Sequence, residues 1–291
     1  MTGRFRRALV IFNPTAGSRH RRRLDAALGG IGCPYELKLT ERRGDAEEAA
    51  RTAAEQGYDL VVVGGGDGTI NEVANGLAAG AGAPPLAVIP LGSANVTAAE
   101  IGLSHLPEAL SRLLARGRRK TVRLGWTGER YFVLMASVGL DAEVVRGLDP
   151  ALKRRIGRTA YLFEALRRVL RYDFPEFSVV IDGIPHRARM AVVCRARHYG
   201  GPFELAPAAD MGDERLHVAL LRRGGLLAML RYGLSLAGGR LSRLADVEMV
   251  SGTVVSIDGP AGAPVQADGD LIGETPIEIT VSRRTIDLMV P

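Results

Sequence analysis

Four short strand-like runs, at 8–12, 35–39, 60–63 and 86–89, recur through the first part of the chain, each followed by a polar or glycine-bearing loop. The run Leu60, Val61, Val62, Val63 is apolar at every position, the pattern of a parallel strand buried on both faces. Gly64, Gly65 and Gly66 follow at once. Ile70, Val73, Ala74 and Leu77 then recur at helical spacing, with Asn71 and Glu72 on the other side. Helical spacing also covers 19–28, 45–56, 96–101 and 106–116. Strands alternating with helices through about residue 120 predict a doubly wound parallel sheet, with ligand loops at the strands' carboxyl ends.

The texture changes after Lys120. Residues 121–126 and 131–137 read as antiparallel strands around a turn at Gly128. Further strands are predicted at 177–182, 185–195, 216–221, 247–257, 264–267, 277–281 and 286–290, with a helix at 226–236. Many short strands joined by glycine turns predict an all-β sandwich-like domain. Segment 149–172 interleaves Lys153, Arg154, Arg155, Arg158, Arg167, Arg168 and Arg171 with Ile156, Tyr161, Leu162, Phe163, Leu166, Val169 and Leu170. Such a segment is either a basic amphipathic helix lying on an anionic membrane or a helix packed on a sheet with a charged outside.

Charge sharpens this picture only a little. The 291 residues carry a net charge of +6, and only Lys38, Lys120 and Lys153 are lysine. Arginine grips phosphate and carboxylate in bidentate fashion, so phosphate-rich ligands or an anionic surface are plausible partners. No helix-turn-helix pattern and no basic patch interleaved with aromatic residues points to nucleic acid. Cys33 and Cys194 offer neither a disulfide framework nor metal spacing and fit a reducing compartment. The apolar run 8–12 is too short for a signal peptide, and no stretch reaches the length of a membrane span. The expectation is a cytoplasmic protein, soluble or peripheral to the inner face of the membrane.

Chemistry concentrates in the glycine loop. Glycine lets backbone approach a ligand closely, and free N–H groups at the start of the next helix suit a phosphate. Asp67 beside phosphates would be repulsive unless a divalent cation or a donor hydroxyl stood between them. That combination favours nucleotide phosphoryl transfer over passive dinucleotide binding, with a tight turn and Asp67 as a helix N-cap as the competing reading. Two further polar loops end strands: Asn13 to Ser18, and Pro90, Leu91, Gly92, Ser93, Ala94, Asn95. His20, His105, His186, His198 and His217 show no metal spacing.

Three ordered loops carry a family resemblance: Asn13, Pro14 and Gly17; Gly65, Gly66, Asp67, Gly68, Thr69 with Asn71 and Glu72; and the loop from Pro90 to Asn95. Together with Thr40, Gly44, Asp45, Ala46 and the late Asp268, Gly269, Asp270, they resemble the bacterial diacylglycerol kinase-like lipid kinases, whose superfamily includes sphingosine and ceramide kinases. The likeness covers nearly the whole chain. It implies an α/β doubly wound nucleotide-binding domain over 1–122, rejoined by a last strand at 284–291. It implies a β-sandwich lipid-substrate domain over 123–283 and an active site in the interdomain cleft.

By this resemblance Thr40, Gly65, Gly66, Asp67, Gly68, Thr69, Asn71, Gly92 and Ser93 would hold ATP. Asn13 and Asn95 would support its phosphates, and Asp67 would help organise Mg2+. Asp270 takes the place of the catalytic carboxylate, as general base toward a lipid hydroxyl, with Asp268 second for that role or as a turn residue. Asp213, with carbonyls of Asp210 and Arg215, would ligate a structural Mg2+. The implied partners are a diacylglycerol-like or sphingoid-like lipid at the membrane surface, reached through the basic helix 149–172. A homodimer through exposed second-domain strands is left open.

Three positions depart from the family. Val96 stands where many members have Asp, Asp270 is one methylene shorter than the usual Glu, and Glu214 replaces Gly in the metal loop. They keep two alternatives in view: a soluble-substrate kinase resembling NAD kinase, and a catalytically decayed regulator that binds nucleotide or lipid.

Overall fold

The computed structural model describes residues 4–14, 18–104, 106, 108–149 and 159–291, with backbone alone at 18–20 and 160–162. Thr15 to Gly17 of the first loop, His105, and positions 150–158 of the basic segment lie outside the described residues, as do the side chains of His20, Tyr161 and Leu162. The chain divides into two units, Met1–Arg123 with Arg283–Pro291, and Leu124–Ser282.

The first unit runs β1 (Ala8–Phe12), α1 (Ser18–Leu28), β2 (Tyr35–Leu39), α2 (Asp45–Arg51), β3 (Leu60–Gly65), α3 (Asp67–Ala79), β4 (Leu86–Pro90), α4 (Val96–Glu100), α5 (Glu108–Arg116) and β5 (Arg118–Trp126). Its parallel order is β2-β1-β3-β4, with Ala8 opposite both Tyr35 and Leu60, and Val61 opposite Leu86. Strands β1, β3 and β4 are wholly buried, whereas β2 lies at the edge and carries Glu36 and Lys38. Charged side chains on an edge discourage further strand pairing. Helices α1 and α5 pack together, as do α2 and α3. Gly76 permits the second pairing, since a Cβ there would lie 2.1 Å from the Glu47 carbonyl. Helix α2 stops at Arg51, short of the predicted 56, because its bonding tightens to Ala53 N–H on the Ala50 carbonyl and runs into Gly57 at φ 79°.

The second unit contains β6 (Tyr131–Phe132), β7 (Met135–Val138), α6 (Leu140–Gly147), α7 (Thr159–Val169), β8 (Phe177–Ile181), β9 (Ile184–Ala188), β10 (Met190–Cys194), β11 (His198–Tyr199), β12 (Phe203–Glu204) and β13 (Leu216–Leu221). It continues with α8 (Leu226–Ala237), β14 (Val247–Gly252), β15 (Val254–Asp258), β16 (Pro264–Ala267), β17 (Asp270–Glu274) and the long β18 (Ile277–Val290). One sheet has the order β14-β13-β10-β7-β16-β17, and the other runs β18-β15-β8-β9. Phe132, Phe177, Val179, Val193, Val218, Ile257 and Val265 fill the space between them, which makes this unit a β-sandwich.

Three predicted strands each divide where the chain passes from one sheet to the other. The 131–137 stretch breaks at Val133 and Leu134, whose N–H groups bond the Asp268 carboxylate. The 185–195 stretch breaks at Arg189, whose N–H bonds the Leu221 carbonyl. The 247–257 stretch breaks at Thr253, where the Asp182 carboxylate accepts the N–H and hydroxyl of Thr253 and the N–H of Val254. Conversely, the runs 277–281 and 286–290 form the single strand β18, whose first part pairs with β15 and whose Leu288 pairs with Leu86 of β4. Helix α6 has no counterpart in the sequence reading.

Candidate active site

In the first unit, β3 delivers Gly65 and Gly66 to the start of α3. The N–H groups of the first helical turn have no carbonyl one turn behind them, and the first intrahelical bond runs from Ile70 N–H to the Gly66 carbonyl. Gly66 is extended and caps α3 without any side chain. Gly68 is exposed, and a Cβ there would meet nothing within 4 Å. Orphan donors beside open space, reinforced by the positive end of the helix dipole, form a cradle for an anionic phosphate.

Asp67 caps a different helix from its own. Its Oδ1 accepts the Thr97 N–H and hydroxyl, both at 3.0 Å, and its Oδ2 accepts the Val96 N–H at 3.1 Å. One carboxylate thereby fastens the second loop to the beginning of α4. Asn95 is held at φ 48°, with its amide closing back on the N–H and carbonyl of Gly92 at 2.7 and 2.9 Å. Gly66 and Gly92 then meet backbone to backbone, for a Cβ on Gly92 would stand 2.4 Å from the Gly66 Cα. Asn13 reaches the same place, donating to the Thr69 hydroxyl at 3.5 Å. Asn13, Gly65, Gly66, Asp67, Thr69, Gly92 and Asn95 are thus gathered at one end of the parallel sheet, and Ser93 is exposed beside them.

Two expected nucleotide-binding residues face inward. Asn71 is 5% exposed and accepts the Asn75 amide at 3.1 Å, and Thr40 is 6% exposed with its N–H on the Phe12 carbonyl. Glu72, next to Asn71, accepts the Gly44 N–H at 3.2 Å and so draws the second βα loop toward α3.

In the second unit, Asp268 and Gly269 have φ 49° and 86° and form the two-residue turn between β16 and β17. Positive φ at both central positions is the geometry of a type I′ hairpin. The Asp268 carboxylate accepts three backbone N–H groups, from Val133, Leu134 and Met135 at 2.7, 2.9 and 3.0 Å. Of its two expected roles, Asp268 therefore takes that of turn support. Asp270 opens β17 and is partly exposed.

A buried network missed in the sequence holds the same turn from behind. Gln266 accepts the Gly269 N–H at 2.9 Å and donates to Ser137 at 2.7 Å and to Asp141 at 2.9 Å. Asp141 also accepts the hydroxyls of Ser137 and Tyr199. Ser137 and Gln266 are 0% and 2% exposed, so their polar atoms depend on one another.

The loop expected to bind a structural Mg2+ does not fit one. The wholly buried Arg195 donates to the carbonyls of Arg215, Met211 and Asp213 at 2.5, 2.9 and 2.7 Å. The Asp210 carbonyl accepts the Asp213 N–H. Burial raises the Asp213 carboxyl, but bonds from His217 and from the Arg215 and Glu214 N–H groups outweigh it and hold the carboxyl below its ordinary range. The cationic centre of this loop is a guanidinium, a correction to the expected role of Asp213. Nor is there, among the described residues, any group of three His, Cys, Asp or Glu side chains able to hold a metal. Among the described residues, a catalytic Mg2+ would have Asp67 as its carboxylate and nucleotide phosphates as its main ligands.

Part of the predicted basic segment is visible as α7. Its Glu164 is 4% exposed and bonds Arg168 at 2.8 Å, and Arg168 also reaches Glu143 at 3.1 Å. Phe163, Leu166 and Leu170 are exposed. Among the described residues no helix is long and apolar enough to cross a membrane.

Residues 7–127 match the diacylglycerol kinase catalytic domain, and residues 135–290 match the YegS C-terminal NAD kinase beta sandwich-like domain. A diacylglycerol kinase of Bacillus subtilis is 26% identical over 294 residues, covering 98% of this chain and 97% of that protein. One from Staphylococcus aureus is 27% identical over 297 residues, covering 98% and 93%. Among solved structures, a diacylglycerol kinase from Bacillus anthracis superposes with a TM-score of 0.79 at 22% identity, covering 99% of this chain and 98% of that one. Another Bacillus anthracis structure gives 0.83 at 21% identity, covering 100% and 97%.

Proposed function

The chain belongs to the bacterial diacylglycerol kinase-like family, and from that premise we propose that it transfers the γ-phosphoryl group of ATP to the hydroxyl of a membrane lipid. Diacylglycerol is the first candidate acceptor, and a sphingoid or ceramide lipid the next. The observation that carries this reading is the pairing of Gly66 with Gly92, which sets the open face of Gly68 and the orphan N–H groups of α3 at one point. Passive dinucleotide binding would not call for Asp67 to lock a second loop against it.

In this mechanism the first turn of α3 and the Thr69 hydroxyl grip the phosphate oxygens, with Asn13 beside Thr69. Mg2+, when bound, neutralises charge on the phosphates. Asp67 keeps the two loops in register and would supply the protein's carboxylate to the ion. Asp270 accepts the proton of the lipid hydroxyl as its oxygen bonds to the γ-phosphorus and the bond to ADP breaks. Proton loss can lag behind phosphoryl departure, so positioning matters more than basicity. The lipid acceptor places the protein at the inner face of the membrane, with the basic segment 149–172 as a contact.

The test is phosphate transfer by purified protein, with ATP and Mg2+, to vesicles containing diacylglycerol, sphingoid base, ceramide or phosphatidylglycerol. Transfer to diacylglycerol, abolished in Asp270→Ala and retained in part by Asp270→Glu, is expected. Absence of transfer to every lipid would overturn the reading. A second reading, a kinase for a soluble substrate such as NAD, draws on the NAD kinase-like description of the second unit's family. It predicts turnover without vesicles.

A further inference from the structure

Helix α8 packs few of its own leucines. Leu227 and Leu234 are 82% and 76% exposed, and Leu230 between them is 48% exposed. Positions three and four apart share one helical face, so these side chains form a single apolar stripe open to solvent. Tyr232, on the other side, is buried and donates its hydroxyl to Asp246, and with Met229, packed against the Leu140, Val144, Val169 and Phe174 cluster, it ties the helix to the unit. An ordinary surface helix shows the opposite arrangement, with its apolar face inward.

The charge around the stripe is one-sided. From Arg222 through Ala245 the chain carries five arginines and no acidic residue. Asp246 pairs with both Arg223 and Arg231, and Glu248 with Arg222, which leaves the cluster net positive. Arg240 and Arg243, one after the helix and one in the turn beyond it, are exposed. We propose that α8 is a membrane-docking surface, inserting Leu227, Leu230 and Leu234 among acyl chains while Arg240 and Arg243 meet anionic headgroups.

Charge complementarity selects this occupant. A two-fold pairing of α8 with α8 from a second copy would bring the same arginines face to face, whereas anionic lipid supplies the opposite sign. Leucine inserted at the acyl boundary with a basic rim is the arrangement of helices that lie in the membrane interface. On the inner side of the helix, Met229 packs in the same apolar cluster as Ala165, Val169 and Tyr172. The inference rests on the lipid-kinase reading only in its choice of a bilayer as the place of work.

The test is flotation of the full chain with vesicles of phosphatidylcholine, with and without phosphatidylglycerol. Wild-type protein is expected to float with the phosphatidylglycerol vesicles. Leu227→Ser with Leu234→Ser should lower the bound fraction about tenfold. Arg240→Glu with Arg243→Glu should remove the preference for phosphatidylglycerol. Both variants should melt with the wild type and phosphorylate a short-chain diacylglycerol in detergent micelles equally well. Variants that float like the wild type would overturn the proposal, as would leucine substitutions that dissociate a dimer and leave flotation intact. Protein that floats in this leucine-dependent way but phosphorylates no lipid would retain the docking surface and lose the kinase reading.

Discussion

Asp67 and Thr97, thirty residues apart, are joined twice through one carboxylate oxygen, which takes both the N–H and the hydroxyl of Thr97 at 3.0 Å. An amide at position 67 would turn a donor toward at least one of the N–H groups now satisfied. Asp67→Asn should cost about 1–2 kcal/mol of stability, near the loss of a helix cap. Thr97→Val keeps the backbone bond and should cost less than half of that. Thermal melts of the two variants make the comparison, and phosphate transfer should fall with Asp67→Asn alone.

Gly68 and Gly92 separate ligand access from packing. A methyl group at Gly68 enters open space in a helix, where alanine is preferred to glycine by up to about 1 kcal/mol. Gly68→Ala should therefore melt no lower than the wild type while binding ATP more weakly. Gly92→Ala collides with Gly66 and should lose both stability and binding. Nucleotide titration beside a melt distinguishes the two.

Arg195 occupies the cationic place in the 211–215 loop, so chelation by EDTA should leave the melting temperature of the wild type unchanged. Arg195→Met strands three carbonyls that the guanidinium now satisfies and should cost at least about 3 kcal/mol. A wild-type melt that falls on chelation would contradict the assignment.

Asp141 reaches the turn before Asp270 through Gln266, and in the proposed mechanism it acts as a positioning residue. Asp141→Asn should reduce kcat about tenfold, a size consistent with slight misplacement of a reacting group. The KM for ATP should not move, because the nucleotide loops belong to the other unit. Tyr199→Phe should show the same split more weakly.

Acid should weaken the sandwich through Asp182, whose carboxyl is held below its ordinary 3.8, first by the Val254 N–H and then by the Thr253 N–H. Because the folded value is the lower one, the contribution is complete above the ordinary value and disappears as pH falls through the folded value. Melting temperature should therefore drop more steeply below about pH 4 in the wild type than in Asp182→Asn.

The glycine loop was legible because its logic is local: a buried strand, three glycines and a helical repeat lie within twenty residues. The hold of Asp67 on α4 was not, since its partners come from another loop and nothing in spacing marks them. Gln266 left a partial signal as a polar side chain within an otherwise apolar strand-like stretch, and Arg195 as a charge closing the apolar run 190–194. Such residues announce a need for partners without naming them, and here the partners lie far away in sequence. The divided strands at Arg189 and Thr253 were hidden for a related reason. Hydrophobic alternation reports which face is buried, and both sheets bury a face in the same core.

Strand β18 gives the order of synthesis a physical meaning. Until residues 283–290 leave the ribosome, β4 has no neighbour on one side, and its row of backbone donors and acceptors is an open, wholly apolar border. The nascent 1–123 region must wait in that condition while all of 124–282 is made. An unpaired apolar edge of this kind favours aggregation over folding for as long as it is exposed.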